Sequence, residues 1–275
     1  MNFNQFRKKY VPQINNCLNN YFSVKSDDIF KIMKYALTSN GKRIRPLISL
    51  ATYYSAGKNI SNEIISIVSI VEFVHAYSLV HDDLPEMDND SKRRNKDSVW
   101  KKYGVGNAVL GGDGLLTEAF KKITDAHIPE KIKLKLIHNL AKAAGPENMV
   151  RGQQFDLFGK TKIKSVENLK LVHLMKTGAL ISYSAVTGGI LASLSFDALD
   201  ELSKFGNNLG IAFQIKDDLN DIDQDKKEKR VSLPILIGVN DSKQKLGFYK
   251  ERAKKIIRNI HDFQGELLIN IVDKL

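Results

Sequence analysis

Apolar residues recur at helical spacing along most of the chain. Leu202, Phe205, Leu209 and Ala212 repeat at three- and four-residue steps, which predicts an amphipathic helix running into Asp217-Asp218-Leu219-Asn220-Asp221. Ile64 to Leu84 is apolar nearly all round, the pattern of a helix buried in an interior, and Pro85 stops or kinks it. Residues 1–22 alternate polar and apolar positions loosely and predict a first helix or an arm. Asp27 or Asp28 is placed to cap a second helix ending near Ser39-Asn40-Gly41. Ser165 to Leu191 reads as one long helix with Lys176-Thr177-Gly178 in its middle. None of the six prolines falls between Pro146 and Pro234, so long helices can run there. Asn40-Gly41 and Asp113-Gly114, the dipeptides that signal hairpins, both border helical patterns. The expectation is an all-α fold.

Composition narrows the function. At 275 residues and 43% hydrophobic, the chain can bury a sizeable core. A net charge of +11 attracts polyanions. The lysines are dispersed among acids, as at Lys131, Lys133, Lys135, Lys243 and Lys245, and are not interleaved with aromatics as a stacking platform requires. No nucleic-acid partner is therefore expected, and phosphorylated small molecules are. The single cysteine, Cys17, makes no internal disulfide and fits a reducing compartment. MNFNQFRKKYVPQ has no apolar core of signal-peptide length, and Ile64 to Val80 is interrupted by Glu72 and His75. A soluble, cytoplasmic protein without a membrane span is expected.

Chemistry concentrates in His75–Ser98, HAYSLVHDDLPEMDNDSKRRNKDS. Asp82 and Asp83 end the apolar run, Asp88 and Asp90 follow, and Arg93-Arg94 close the stretch. Hard oxygen ligands at that density suit Mg²⁺, which is held by a few carboxylates together with substrate phosphates. Paired arginines suit the phosphate oxygens. At 3.6 residues per turn His75, Ser78 and Asp82 fall within about 60°, so a polar stripe runs down a buried helix toward the acids. A core histidine with one hydrogen bond is the plainer account of His75, and the only one for His127, His138, His173 and His261. Carboxylates at a helix C-terminus oppose the dipole and call for a cation. An EF-hand is excluded, because Lys92 and Arg93 stand where a ligand and glycine are needed.

Other stretches are read more plainly. Gly41-Lys42-Arg43-Ile44-Arg45-Pro46 puts three bases at a helix entrance, a diphosphate pocket or a basic surface turn. GNAVLGGDGLLTEAF lacks Gly-Lys-Ser/Thr, which excludes a P-loop and leaves close helix packing as the account of its glycines. Gly152-Gln153-Gln154-Phe155-Asp156 sets Gln153 and Asp156 three apart. Lys176-Thr177-Gly178 is either a kink with polar groups turned inward or an exposed lysine beside a tolerated glycine. Gln214, Asp217, Asp218 and Asp221 follow i, i+3, i+4, i+7 and share a helix face. Two acid pairs, each ending an apolar helix, repel unless a cation sits among them.

Taken in order, GKRIRP, HDDLPEMDND with Arg93-Arg94, GDGLLTEAF, Gly152-Gln153, Lys176-Thr177-Gly178 and FQIKDDLND resemble the successive motifs of the trans-isoprenyl diphosphate synthases over roughly residues 40–234. Two extra residues between the acids of the first motif make the likeness greatest to the bacterial farnesyl diphosphate synthases. The resemblance implies one polyprenyl synthase domain over 1–275, an isoprenoid synthase type helical bundle around a deep central cavity, and a homodimer. It implies three Mg²⁺ per site, with metal ligands Asp82, Asp83 and Asp88 in the first motif and Asp217, supported by Asp218 and Asp221, in the second. Arg93, Lys176, Thr177 and Gln214 bind or flank the allylic diphosphate on that reading, and Lys42, Arg45, His75 and Arg94 bind isopentenyl diphosphate. Asn95 stands where the family usually has glycine, and Asp97-Ser98 where it usually has Pro-Thr. The basic residue that the family has before Pro234 is not fixed by the spacing, and Lys226, Lys227, Lys229 and Arg230 are all candidates.

The implied reaction is head-to-tail prenyl transfer by ionisation, condensation and proton elimination. Tyr77, with Ser78, is implied to floor the elongation cavity and favour a fifteen-carbon product, with a twenty-carbon product as the alternative. The intact acid clusters argue against a noncatalytic subunit. The bases Lys42, Arg45 and Arg94 argue against a terpene cyclase, which needs no second diphosphate site.

Overall fold

Leu18, Ile14, Tyr10 and Phe6 are four apart and all buried, so the amino-terminal stretch is a helix, α1 (Phe3–Asn20), and it runs through Pro12. The computed structural model describes the whole chain except residues 23–26, 159–162, 164 and 229. It divides into two units, an amino-proximal one of Asn4–Leu50 and Ile60–Ile137, and a carboxyl-proximal one of Met1–Phe3, Ala51–Asn59 and His138–Leu275.

In the amino-proximal unit, α2 (Asp28–Leu37) starts after Asp27, which occupies the cap position but offers its backbone carbonyl, not its carboxylate, to Lys31. Helix α3 (Ile44–Ser55) opens within the basic stretch, as expected. The apolar run from Ile64 is two helices, α4 (Asn62–Ser69) and α5 (Val71–Asp82). The expected single helix steps at Ile70, where Ile70 N–H bonds Ile67 O and Phe73 N–H bonds Ile70 O, each three residues back. Ser61 begins the pair, its hydroxyl accepting the Ile64 N–H. The stretch Asn62–Asp82 is apolar and long enough to span a bilayer, but 72% of its most apolar window is buried within the protein.

The strands β1 (Lys92–Arg93) and β2 (Lys96–Asp97) form a small hairpin, which the scarcity of Asn-Gly and Asp-Gly signals had argued against. Its two turn residues, Arg94 and Asn95, lie at φ +53° and +63°. Both left-handed positions match the twist of a two-residue hairpin, and asparagine tolerates them better than most residues. Asn95 therefore takes a left-handed turn position without being glycine. Helices α6 (Val99–Tyr103) and α7 (Val105–Thr124) follow, and α7 packs on α5 and α2. Its glycines are notches: a Cβ at Gly111 would lie 2.8 Å from Ile32, and one at Gly114 2.9 Å from the Met33 sulfur. The packing account of that stretch holds for Gly111, Gly112 and Gly114 but not for Gly106, around which there is open space.

Helix α8 (Glu130–Ala144) leads to the carboxyl-proximal unit, which contains α9 (Met149–Leu157), α10 (Val166–His173), a π turn (Leu174–Gly178), α11 (Ala179–Leu191), α12 (Phe196–Asn220), α13 (Ile222–Glu228), α14 (Leu233–Ile237), α15 (Val239–Arg258) and α16 (Glu266–Lys274). The long helix expected from Ser165 is thus interrupted where Lys-Thr-Gly stands. Helix α12 carries the core of this unit, with Leu202, Phe205, Leu209, Ala212 and Ile215 buried, and packs against α11 and α15. A Cβ at Gly206 would lie 2.3 Å from the Ser182 Cα, so α11 and α12 touch backbone to backbone.

Gly206→Ala is expected to destabilise the protein by about 1–3 kcal/mol through overpacking. Gly247→Ala, in α15 with open space around it, is expected to stabilise by up to about 1 kcal/mol through helix propensity. Urea unfolding followed by ellipticity measures both, and a stabilising Gly206→Ala would contradict this packing.

Candidate active site

The last turn of α5 presents the first acids. Asp82 is its final residue and Asp83 its cap. The loop beyond Pro85 folds straight back: Met87 and Asn89 N–H both bond Leu84 O, and Asp88 N–H bonds Asp82 O at 2.9 Å. Asn89, at φ +55°, makes that return. The two extra residues between the acids are therefore the turn that brings Asp88 beside Asp82. Asp83 is buried and takes Arg93 Nε at 2.9 Å as well as Arg93 Nη2, while Asp90 takes Nη2 at 3.0 Å. Burial raises the Asp83 pKa, and the Arg93 hydrogen bonds oppose that rise.

Arg94, next in the hairpin, points the other way. Its Nη1 donates to Ser39 Oγ at 3.2 Å and its Nη2 lies 3.4 Å from His75 Nε2. Gly41 makes room, since a Cβ there would lie 2.8 Å from Arg94 Nη1. Burial, then the charges of Arg45 and Arg94, hold the His75 pKa well below its usual value, so the imidazole is neutral and Nε2 can accept. Ser78 Oγ donates to the His75 carbonyl at 3.0 Å.

Of the three bases at the entrance to α3, Lys42 is exposed, Arg45 half-buried and Arg43 buried. Sequence reasoning counted Arg43 among the three bases of a diphosphate pocket or a basic surface turn, and its burial fits neither. Its guanidinium pairs with Glu72 on α5 at 2.6 Å, both side chains 4% exposed, and donates to Asn15 Oδ1, Ser39 O and Leu37 O. Arg43 sits at φ +52°, the backbone turn that separates it from its neighbours. The signal in the sequence was Glu72, an acid in an otherwise apolar helix.

Tyr77 is buried and packs edge-on against His81, ring centres 5.3 Å apart. His81 Nε2 lies 3.1 Å from the Val109 carbonyl, in a notch that any side chain at Gly112 would fill.

In the carboxyl-proximal unit the π turn is the focus. Lys176 Nζ pairs with Asp156 at 2.6 Å, and Thr177 Oγ1 donates to Gln214 Oε1 at 2.6 Å. Gln153 buries both amide atoms without a hydrogen-bond partner. The acids of α12 divide. Asp217 and Asp221 are exposed, whereas Asp218 is buried and accepts the Leu233 N–H at 2.9 Å, starting α14. Burial raises the Asp218 pKa to about 7, and burial lowers that of His173 to about 4. Their 3.7 Å approach is therefore not an ion pair at neutral pH. His173, read as an ordinary core histidine, is buried. Lys226, Lys227 and Arg230 are exposed, and Lys229 lies outside the described residues.

Among the described residues no three histidine, cysteine or acidic side chains form a ready metal cage. The end of α5 offers the carboxylates of Asp82 and Asp83, and a backbone bond ties Asp88 to Asp82. That set fits a hard cation that completes its shell with water and phosphate.

The chain matches the model of the Polyprenyl synthetase family over residues 26–257. It is 40% identical over 257 residues to the farnesyl diphosphate synthase of Geobacillus stearothermophilus, covering 88% of this chain and 86% of that one. It is 32% identical over 289 residues to the chloroplastic geranylgeranyl pyrophosphate synthase of Capsicum annuum, covering 99% of this chain and 78% of that one. A crystal structure of an FPP/GFPP synthase from Zymomonas mobilis superposes with a TM-score of 0.89 at 29% identity, covering 99% of this chain and 98% of that one.

Glu72→Ala leaves Arg43 as an unpaired buried charge and is expected to cost about 3–5 kcal/mol in urea unfolding; a loss under 1 kcal/mol would contradict the burial of the pair. A second expectation concerns pH. Between about 4 and 7, Asp218 is protonated in the fold and ionised in the unfolded chain, so its contribution falls as pH rises. His173 is neutral in the fold and charged in the unfolded chain between about 4 and 6.5, so its contribution rises with pH. The two oppose each other. Asp218→Asn, which keeps an acceptor for Leu233, should leave stability climbing more steeply from pH 4 to 6.5 than in the wild type; an unchanged profile would contradict the assignment.

Proposed function

The chain belongs to the polyprenyl synthetase family and is a trans-prenyltransferase, and from that premise we propose that it condenses isopentenyl diphosphate with dimethylallyl and geranyl diphosphates to give trans-farnesyl diphosphate. The observation that carries the reading is the pair of acid clusters at helix C-termini, Asp82-Asp83 closing α5 and Asp217 to Asp221 closing α12. Each has cationic side chains in its own unit, Arg93 in one and Lys176 in the other. The named relatives support the fifteen-carbon product, and the Capsicum relative keeps the twenty-carbon product as the alternative.

Asp82, Asp83 and Asp88, and Asp217 with Asp218 and Asp221, would hold Mg²⁺, three ions per site. Mg²⁺ held by these carboxylates would supply positive charge to the departing diphosphate. Arg93 and Lys176 bind diphosphate oxygens and stabilise the leaving group as the allylic C–O bond breaks. The Thr177 and Lys176 carbonyls and the Gln214 amide turn their dipoles toward the allylic cation. Lys42, Arg45, Arg94 and neutral His75 hold isopentenyl diphosphate, whose double bond attacks that cation. A new C–C bond forms, and a proton leaves to the released diphosphate. Tyr77, backed by His81 and beside Ser78, limits chain growth.

The family match spans both units, which supports one synthase domain over residues 1–275. The enzyme is proposed to act in the cytoplasm as a homodimer, without nucleic acid.

Purified protein with Mg²⁺ and labelled isopentenyl diphosphate should yield labelled farnesol after dephosphorylation when the starter is dimethylallyl or geranyl diphosphate, and no labelled product when it is farnesyl diphosphate. Tyr77→Ala should shift part of the product to geranylgeraniol. Geranylgeraniol as the main wild-type product would overturn the Tyr77 floor, and folded protein without Mg²⁺-dependent elongation would overturn the reaction.

A further inference from the structure

The π turn Leu174–Gly178 is gripped from both sides in the same way. On α12, Gly210 brings the helix against Gly178, since a Cβ there would lie 2.4 Å from the Gly178 Cα. One turn later Gln214 bonds the Thr177 hydroxyl. On α9, Gly152 brings the helix against Lys176: a Cβ there would lie 2.6 Å from the Lys176 backbone nitrogen and 3.0 Å from its Cα. One turn later Asp156 bonds the Lys176 ammonium at 2.6 Å. Each flanking helix thus uses a glycine to seat the backbone of the turn and a polar residue four positions on to seat one side chain. Residues i and i+4 share a helix face, so both contacts fall on one stripe.

A π turn is an inserted residue within a helix, and it persists only where its surroundings hold it. Lys176 also has a long, flexible side chain, which loses much rotamer freedom when it is fixed. Gly152 and Asp156 answer these two problems separately, one for the backbone and one for the ammonium.

We infer that Gly152 and Asp156 are positioning residues that set the backbone and the ammonium of Lys176 before substrate arrives. The inference rests on the proposed role of Lys176 at the allylic diphosphate. Asp156 touches no reacting atom. It pairs with the ammonium and directs it, so that diphosphate meets a preset cation in place of a mobile one.

Steady-state kinetics on the full chain test this. Asp156→Asn keeps the size and removes the charge. It is expected to raise KM for geranyl diphosphate about tenfold or more, in the range typical for outer groups that orient a ligand-binding side chain. KM for isopentenyl diphosphate and the melting temperature should be unchanged. Asp156→Glu should recover part of the loss. In a Lys176→Gln background, Asp156→Asn should add nothing, because its effect passes through the lysine. Gly152→Ala should lower kcat, by up to about 10²-fold for an ångström of displacement. A fully additive double variant, an unchanged or lower KM for geranyl diphosphate, or equal losses in both substrates together with the melting temperature would each overturn the inference. Calorimetric binding of inorganic diphosphate with Mg²⁺ reads the same placement without turnover. If wild-type protein does not condense isopentenyl diphosphate yet binds diphosphate more tightly than Asp156→Asn does, the reaction fails and the positioning stands. Equal binding by the two proteins sinks the positioning itself.

Discussion

Carboxylates at the C-terminal end of a helix lie in the negative end of its dipole, and that cost governs the arrangement around both acid clusters. Asp82 and Asp83 end α5 and Asp217 to Asp221 end α12. Left alone, each cluster would push its neighbours' charge apart and weaken the helix end. The protein meets the cost locally. Arg93, carried on a hairpin formed by the two left-handed residues Arg94 and Asn95, binds Asp83 and Asp90. In α12 the buried carboxyl of Asp218 accepts the Leu233 N–H. Asp82, Asp88, Asp217 and Asp221 keep partly or fully exposed positions where a hard cation and phosphate oxygens can reach them.

Glycine is the second recurring device. Gly41 admits Arg94, Gly112 admits His81, Gly152 admits the Lys176 backbone and Gly210 admits Gly178. In each case the missing Cβ lets a functional or supporting group approach within a distance that alanine would forbid. Helix propensity lost at the three helical positions, Gly112, Gly152 and Gly210, about 1 kcal/mol each, is offset by contacts that fix side-chain direction. The buried Arg43–Glu72 pair works to the same end, because it turns one base inward and leaves Lys42 and Arg45 directed elsewhere.

The acid clusters, the buried helix before Pro85 and the all-α class were legible in the sequence, because each depends on local spacing. The break at Ile70, the buried state of Arg43 and the pairing of Asp156 with Lys176 were not, because each is decided by residues distant in the chain. Asp218 is instructive: spacing put it on the face of Gln214, Asp217 and Asp221, and that is where a helix wheel must put it. Burial and the Leu233 N–H turned its carboxyl inward, a tertiary effect that no periodicity carries. The Lys176-Thr177-Gly178 interruption was visible as an oddity, whereas its π geometry required knowing what packs on Gly178. The hairpin was missed because its turn is Arg-Asn, which carries little local signal.

Whether these carboxylates and bases are held ready for a metal-bound diphosphate is read from the melting temperature with Mg²⁺ alone, inorganic diphosphate alone, and both. A clear rise is expected only with both, because each completes the other's site and binding to the fold raises stability. An equal rise with either ligand alone, or no rise with both, would contradict that readiness.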